Sequence, residues 1–439
     1  MAKVVKGSSN RPTIFETRVR RVIAMGWFDL FFRPLAPQRY ADAMMDELKR
    51  QGDKREWRFD AANFRLLSPS ERGAKGQPRV WSLANLYEEY KATPRKLRKE
   101  HFVLAVERIL SIPDDAPSDF EDVRPHLRPK LWVRASLEKA RLQGRLDWQT
   151  DHDSANAPIE VGTHLRGGLV YDMPTSVMSL SAEHLKEWGV SFYEAYEIAC
   201  ANLMAAKATF APFGEGLYIF ISGDSYDSTR ILAHQILEQL EVKGRRIAMA
   251  PSRDLLLVAG EDDDKALETM LEVAAKSEDA PRPMSPVPVV WDDDRWVDWL
   301  PPRGHPLRLK FAAVERKFLW REYDDQKRLL DALYQKTGID RFVASYTVAE
   351  HQVSGEQFSY AVWTEGVETL LPTCDRIVFA QQPPPKESGN QPVMWWADWI
   401  DVERVLSSRL NDAGLYPARV LVDWFPSPEE LKAVRAHKK

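Results

Sequence analysis

Apolar residues recur at two periods along this 439-residue chain, and the switches between them mark out its elements. Tyr40, Met44, Met45 and Leu48 keep helical spacing and predict a helix over Pro37–Gln51. Trp57–Leu67 (WRFDAANFRLL) alternates instead, as strand, turn and strand do. Arg79–Tyr87 reads as a strand entering a helix, and Leu97–Leu110 as a long amphipathic helix. The run Ile112-Pro113-Asp114-Asp115-Ala116-Pro117-Ser118 breaks the pattern and predicts a linker.

Beyond that linker, Leu131–Ala135, Leu165–Asp172 and Val177–Leu180 read as strands, with a polar, loop-like Arg141–Ala157 among them. Ser191–Ala206 predicts a helix opened by Ser191 as N-cap, with Glu194 completing a capping box. Leu217–Leu240 (LYIFISGDSYDSTRILAHQILEQL) then gives an apolar strand, a Gly-Asp-Ser turn and an amphipathic helix. Arg246–Ala250 and Leu255–Ala259 form a hairpin across Pro251–Asp254, and Glu261–Lys276 is a helix with an acidic first turn. After the Pro-rich, charged Ser277–Pro288, a helix over Asp325–Thr337 precedes three strand-like runs in Phe342–Gln382. A Trp-dense segment (Met394–Leu410), a strand (Arg419–Phe425) and a helix (Glu429–Ala436) close the chain.

Helices mixed with antiparallel-looking strands throughout predict an α+β fold with mixed, largely antiparallel sheets in two to three domains. We place a basic tail at 1–24, a helix-hairpin-helix α+β domain at 25–112, an α+β core domain at 118–284 and a Trp-rich α+β domain at 285–439. Met25-Gly26-Trp27-Phe28-Asp29-Leu30 has the character of a native start, which would put the first translated residue at Met25.

Ser191–Leu271 also resembles a known family. A helix ending near Asn202-Leu203, the aromatic strand Leu217–Ile221, the run Asp224-x-Tyr226-Asp227-Ser228-Thr229-Arg230-Ile231-Leu232 and the Pro251-x-x-Asp254 strand look like the YtpQ-like family of uncharacterised bacterial proteins. The likeness extends more weakly over Met25–Leu309, including the Phe59–Leu67 hairpin and Gly168–Asp172, and leaves the last 130 residues unmatched. It implies an architecture and a bacterial, cytoplasmic setting. Because the family is defined by a domain of unknown function, it implies no mechanism.

Composition narrows the function classes. Hydrophobic residues at 44% and charged residues at 29% fit a soluble globular protein, with no apolar run long enough to span a membrane. Cys200 and Cys374 lie far apart and read as small buried hydrophobes. The net charge of −4 conceals a basic first third: residues 1–150 hold 30 Lys/Arg against 20 Asp/Glu. Its densest cluster, Lys91, Arg95, Lys96, Arg98 and Lys99, is the candidate nucleic-acid surface, followed by Arg124, Arg128, Lys130 and Arg134. No nucleic-acid motif accompanies it, and docking of domains on each other explains the asymmetry equally well.

Three constellations carry candidate chemistry. Asp224, Asp227 and Arg230 sit at a strand end, where carboxylates can hold a cation or act as bases while the arginine clamps an anion. Helix capping and an Asp227–Arg230 pair account for the same residues. Asp292-Asp293-Asp294 reads as a hairpin turn between aromatic strands, Asp262-Asp263-Asp264 as a helix start, and Asp151-His152-Asp153 as a polar loop, so no metal site is expected. A Gly-rich phosphate loop, a dinucleotide fingerprint and a nucleophile elbow are all missing from the sequence, and no cofactor is expected. Of the chain's 15 tryptophans, Trp395, Trp396 and Trp399 form the candidate partner surface. The leading expectation is a cytoplasmic, non-catalytic binding or adaptor protein that engages a protein partner or a second copy of itself. The first alternative is a metal-assisted hydrolase or phosphotransferase built on Asp224, Asp227 and Arg230. The second is nucleic-acid association through the basic N-terminal third.

Overall fold

A computed structural model describes residues 34–68, 79–111, 116–148, 156–174, 176–277, 282–353, 355–381 and 393–436. The basic tail, Met25 and the Asp151-His152-Asp153 loop lie outside these residues. The described chain divides into two compact units, Met1–His126 with Tyr171–Met178, and Leu127–Val170 with Ser179–Lys439.

In the first unit the expected helical face forms over Pro37–Arg50, with Pro37 in the first turn, where its missing N–H leaves no bond unmade. Tyr40, Met44 and Leu48 are buried with Leu66, Tyr90, Val106 and Ile109, so the helix packs onto the Arg98–Leu110 helix and the hairpin strand Arg65–Ser68. That strand is the middle of a three-stranded antiparallel sheet with Arg58–Asp60 and Arg79–Ser82.

The second unit is built on one large sheet. Its order is Leu127–Val133, Leu165–Asp172, Ile159–Val161, Arg295–Asp298, Val289–Asp292, Arg246–Ser252, Leu255–Gly260, Tyr218–Phe220 and Phe210–Pro212. Strand Arg295–Asp298 runs parallel to Ile159–Val161, while the hairpin pairings around it are antiparallel. The mixed helices and sheets make the chain α+β. The boundary expected at 284/285 falls inside this sheet, because Val289–Asp292 pairs with Arg246–Ser252. Asp293 and Asp294 have φ of 46° and 59°, the left-handed pair that a two-residue hairpin turn requires. The three aspartates there form a turn, as expected. Asp263 caps the helix Asp264–Lys276 by accepting from the Ala266 N–H at 3.2 Å.

The helix expected from Glu261 starts at Asp264, and the three strand-like runs of Phe342–Gln382 are, among the described residues, five strands in two sheets. Three further elements differ more deeply from the sequence expectation. The polar Arg141–Ala157 stretch is partly helical, since the helix Arg134–Trp148 begins directly after its strand. The helix expected at Asp325–Thr337 starts at Arg308 and runs 30 residues, about 45 Å. Along it, Phe318 joins the core of the large sheet, Tyr323 the C-terminal core and Leu330 a third cluster with Leu142, Val343 and Leu370, so no single apolar stripe marks its whole length. It packs against Arg134–Trp148, where Lys139 bridges Glu322 and Asp325 at 3.0 and 2.8 Å. Finally, the amphipathic helix expected after the Gly-Asp-Ser turn is two 3₁₀ segments, Ser228–Leu232 and His234–Gln239. All residues from Ser228 to Ala233 are buried, which leaves no solvent face for an amphipathic helix to present. Tighter turns close through Ala233 N–H to Arg230 O and Leu240 N–H to Leu237 O. Arg246 caps the outgoing carbonyls of Glu238 and Leu240.

The C-terminal part of this unit carries two four-stranded sheets. One contains Arg419–Val422, whose Arg419 is fully buried and donates to Gln326 Oε1, Ala344 O and Leu370 O at 2.5, 2.7 and 3.1 Å. The other has the order Thr347–Glu350, Gln357–Thr364, Arg376–Gln381 and Val393–Asp398. Ala361, Trp363, Ile377, Phe379 and Ala397 point into its core.

Candidate functional site

Tyr218–Phe220 pairs with Leu255–Gly260, and the chain leaves the sheet through Gly223 and Ser225, both with positive φ. This turn brings Asp224, Asp227 and Arg230 together, but in an arrangement opposite to an open catalytic site. Arg230 is 0% exposed and grips Asp224 through two parallel hydrogen bonds of 3.0 and 2.6 Å. Its contact to Asp227, the pair expected from spacing, is the longer one at 3.4 Å. Asp227 reaches back to the strand end, accepting from Ser222 N–H at 2.9 Å and Gly223 N–H at 3.4 Å, and does not cap a following helix. Arg253 ties the same turn to the neighbouring hairpin by donating to Ser225 Oγ.

The electrostatics follow from these contacts. Burial works to raise the Asp224 carboxyl, yet hydrogen bonds from Arg230 and the Tyr226 N–H outweigh it and hold the group below the ordinary carboxylate value. For Asp227 burial wins over the Ser222 and Gly223 bonds, and its pKa is raised. The Arg230 guanidinium occupies the place between the carboxylates that a catalytic cation would need. Among the described residues, no group of three His, Cys, Asp or Glu side chains is placed to hold a metal ion.

The basic run of the first unit is distributed along a helix junction. Lys91 pairs with Glu88 at 2.7 Å, while Arg95 and Lys96 sit in the 3₁₀ turn Arg95–Leu97. Arg98 stacks over Tyr90 and Lys99 follows it in the next helix. The adjacent cleft, of about 340 Å³, is lined by Glu89 and Glu100 as well as Arg108 and apolar side chains. Carboxylates beside the basic run oppose a phosphate backbone.

The three tryptophans separate sharply. Trp399 is 7% exposed and belongs to the C-terminal core. Trp395 is half-buried, stacked at 4.5 Å on Phe379 with the Arg435 guanidinium 4.1 Å from its other side. Only Trp396 is exposed, at 38%, together with Met394 at 57%. Strand alternation separates Trp395 from Trp396, because successive residues of Val393–Asp398 point to opposite faces, while Trp399 opens the following helix Trp399–Leu406. Register extends the outer face to Val378 opposite Trp396 and Val362 opposite Val378, with Tyr360 opposite Arg376. Arg376 lies between two rings of this face, 4.3 Å from Phe358 and 4.2 Å from Trp396, and bonds Asp398 at 3.2 Å.

Sequence reasoning missed Arg376 and Phe358. The alternation in Gln357–Thr364 (QFSYAVWT) held a signal for Phe358, Tyr360 and Val362 sharing one face. Nothing local signalled Arg376, whose partners come from two other strands. Compared with known proteins, the chain matches no family model, no curated protein and no solved structure, so its site is defined by its own geometry.

Proposed function

We propose that the chain is a non-catalytic binding or adaptor protein that takes an extended segment of a protein partner along the strand Val393–Asp398. The observation that carries this reading is the position of that strand. It forms the end of its sheet among the described strands, with Trp396 and Met394 exposed on the sheet's outer face. An edge strand offers backbone donors and acceptors to an added strand, and side chains on alternate faces supply selectivity. On one face the added strand meets Trp396 and Met394, which favour apolar side chains. On the other it meets Arg435, whose guanidinium makes no ion pair among the described residues and favours a carboxylate. The partner segment therefore alternates apolar and acidic residues. The kinship of residues 25–309 with the YtpQ-like proteins and the bacterial cytoplasmic setting belong to the same proposal, supported by the sequence likeness alone. The engagement of Asp224 by two hydrogen bonds from the buried Arg230 is a reason to prefer binding over catalysis.

A fluorescent synthetic peptide alternating Val and Glu serves as the probe, with binding followed by anisotropy and by backbone amide exchange. The expected result is protection of Val393–Asp398 on binding and at least tenfold weaker binding by Trp396→Ala and Arg435→Glu. Absence of protection in that strand overturns the proposal. So does a concentration-dependent dimer lost in Trp396→Ala, which would assign the same edge to a second copy of the chain.

A further inference from the structure

The helix Arg134–Trp148 opens on a cation. Arg134 is its first residue, its first turn contains no acid, and the Arg134 N–H is held by the His164 carbonyl at 2.8 Å. A positive charge at a helix N-terminus opposes the dipole there. The side chain finds no carboxylate to offset this: among the described residues Arg134 makes no ion pair, and its guanidinium lies 4.3 Å from the centre of the Tyr416 ring. Tyr416 is a fixed platform, because its hydroxyl and His164 Nδ1 are 2.6 Å apart in the interior. A ring face leaves the edge donors of a stacked guanidinium available.

A second arginine stands beside the first. Arg166 donates to the carbonyls of Gly162 and Leu165 and pairs with the exposed Glu160 at 2.8 Å. Burial, and then the Arg134 charge, push its guanidinium below the ordinary arginine value. The Arg134 charge acts on Arg166 against the opposing pull of Glu160 and Asp298. Both arginines line an open cleft of about 480 Å³ with Arg141, Asn156 and an apolar wall that includes Leu137 and Leu415. Two carboxylates reach the same cleft. Glu138 is engaged by Arg141 through two hydrogen bonds, and Asp412 accepts from Gly414 N–H. Asn156 is placed by a glycine: a Cβ at Gly168 would lie 2.3 Å from the Asn156 carbonyl oxygen, so only glycine lets that segment cross the strand.

We propose that this cleft binds a small organic anion, whose phosphate or carboxylate group is received by Arg134 and Arg166 while its body rests on the apolar wall. An arginine fork suits either oxyanion, and the cleft has the size of small-molecule sites, roughly 300–1,000 Å³. An anion bound there cancels the repulsion between the two guanidinium groups and satisfies the helix N-terminus at once.

Calorimetric titration at low salt with inorganic phosphate, phenyl phosphate and benzoate tests the site on the intact chain. The expected result is saturable one-to-one binding of phenyl phosphate or benzoate, tighter than inorganic phosphate. Whichever of the two binds more tightly identifies the group as phosphoryl or carboxyl. Arg134→Gln should weaken binding at least tenfold, with Arg134→Lys in between. Phenylglyoxal labelling of the unmutated protein gives a readout independent of any variant's folding: the better anion should slow modification of Arg134. No saturable binding by any probe up to about 10 mM, equal affinity in Arg134→Gln, or unprotected Arg134 overturns the proposal.

Discussion

Arg230 and Asp224 face each other through a parallel pair of hydrogen bonds, 3.0 and 2.6 Å long, with the guanidinium wholly removed from solvent. The pair fastens the turn after Tyr218–Phe220 to the buried 3₁₀ segment. Its role is therefore read as stability. Asp227, 2% exposed, depends on the same cation. Arg230→Met leaves that carboxylate buried beside Asp224 with no compensating charge and should destabilise the fold by about 3–5 kcal/mol. Arg230→Lys keeps the charge but loses the fork, and should recover only part of the loss. Urea denaturation of the three proteins measures this, and an unchanged midpoint for Arg230→Met would show that the pair is not structural.

Trp396 and Trp399 lie three residues apart and should respond in opposite ways. Trp399→Ala empties a core position and should cost about 3–5 kcal/mol. Trp396→Ala removes an exposed ring and should change stability by about 1 kcal/mol or less. Thermal unfolding of both variants separates a binding surface from a core, and comparable losses would remove Trp396 from the exposed face.

Arg419 makes no ion pair among the described residues and holds the interior of its sheet through Gln326 and the carbonyls of Ala344 and Leu370. Burial pushes its guanidinium down to about 10. Arg419→Met removes a costly buried charge but orphans those acceptors, each worth about 1–3 kcal/mol when left unpaired. The net expectation is a loss of about 2–4 kcal/mol, read from denaturation midpoints, and a gain in stability would mean that desolvation of the charge dominates.

His101 makes the first unit sensitive to acid. Its Nε2 is 2.9 Å from the Tyr40 hydroxyl, among the rings of Tyr40, Tyr90 and Phe102. Burial, only partly offset by Glu89, lowers its pKa below the ordinary 6.5. The folded state thus prefers the neutral ring while the unfolded chain takes up a proton more readily. The contribution is fully present above the unfolded value and declines as pH falls from there toward the folded value. His101→Phe should flatten the stability profile between about pH 7 and pH 5 relative to the unmutated protein. Parallel profiles would assign the acid response elsewhere.

What the sequence determined by itself is local. The cap at Ser191, the aspartate turn between Trp291 and Trp296, and the alternation of Gln357–Thr364 all act over a few residues, and each formed where its spacing placed it. Tertiary structure decided everything that depends on what covers a face. Ser228–Gln239 has helical spacing but is enclosed on all sides at its start, so it closes as 3₁₀ turns around Arg230. Arg308–Thr337 touches three separate hydrophobic clusters in turn, so it carries no single stripe that a periodicity could register. The same holds for the candidate sites. Three neighbouring tryptophans are alike in sequence, and only the folded chain sends Trp396 outward on the strand Val393–Asp398 while Trp399 turns into the core at the start of the next helix. Arg134, Arg166 and Tyr416 are separated by up to 282 positions, and only the packed chain makes them neighbours. Local signals fix φ and ψ over a turn or two, whereas burial and charge proximity are properties of surfaces that meet only after the chain has folded.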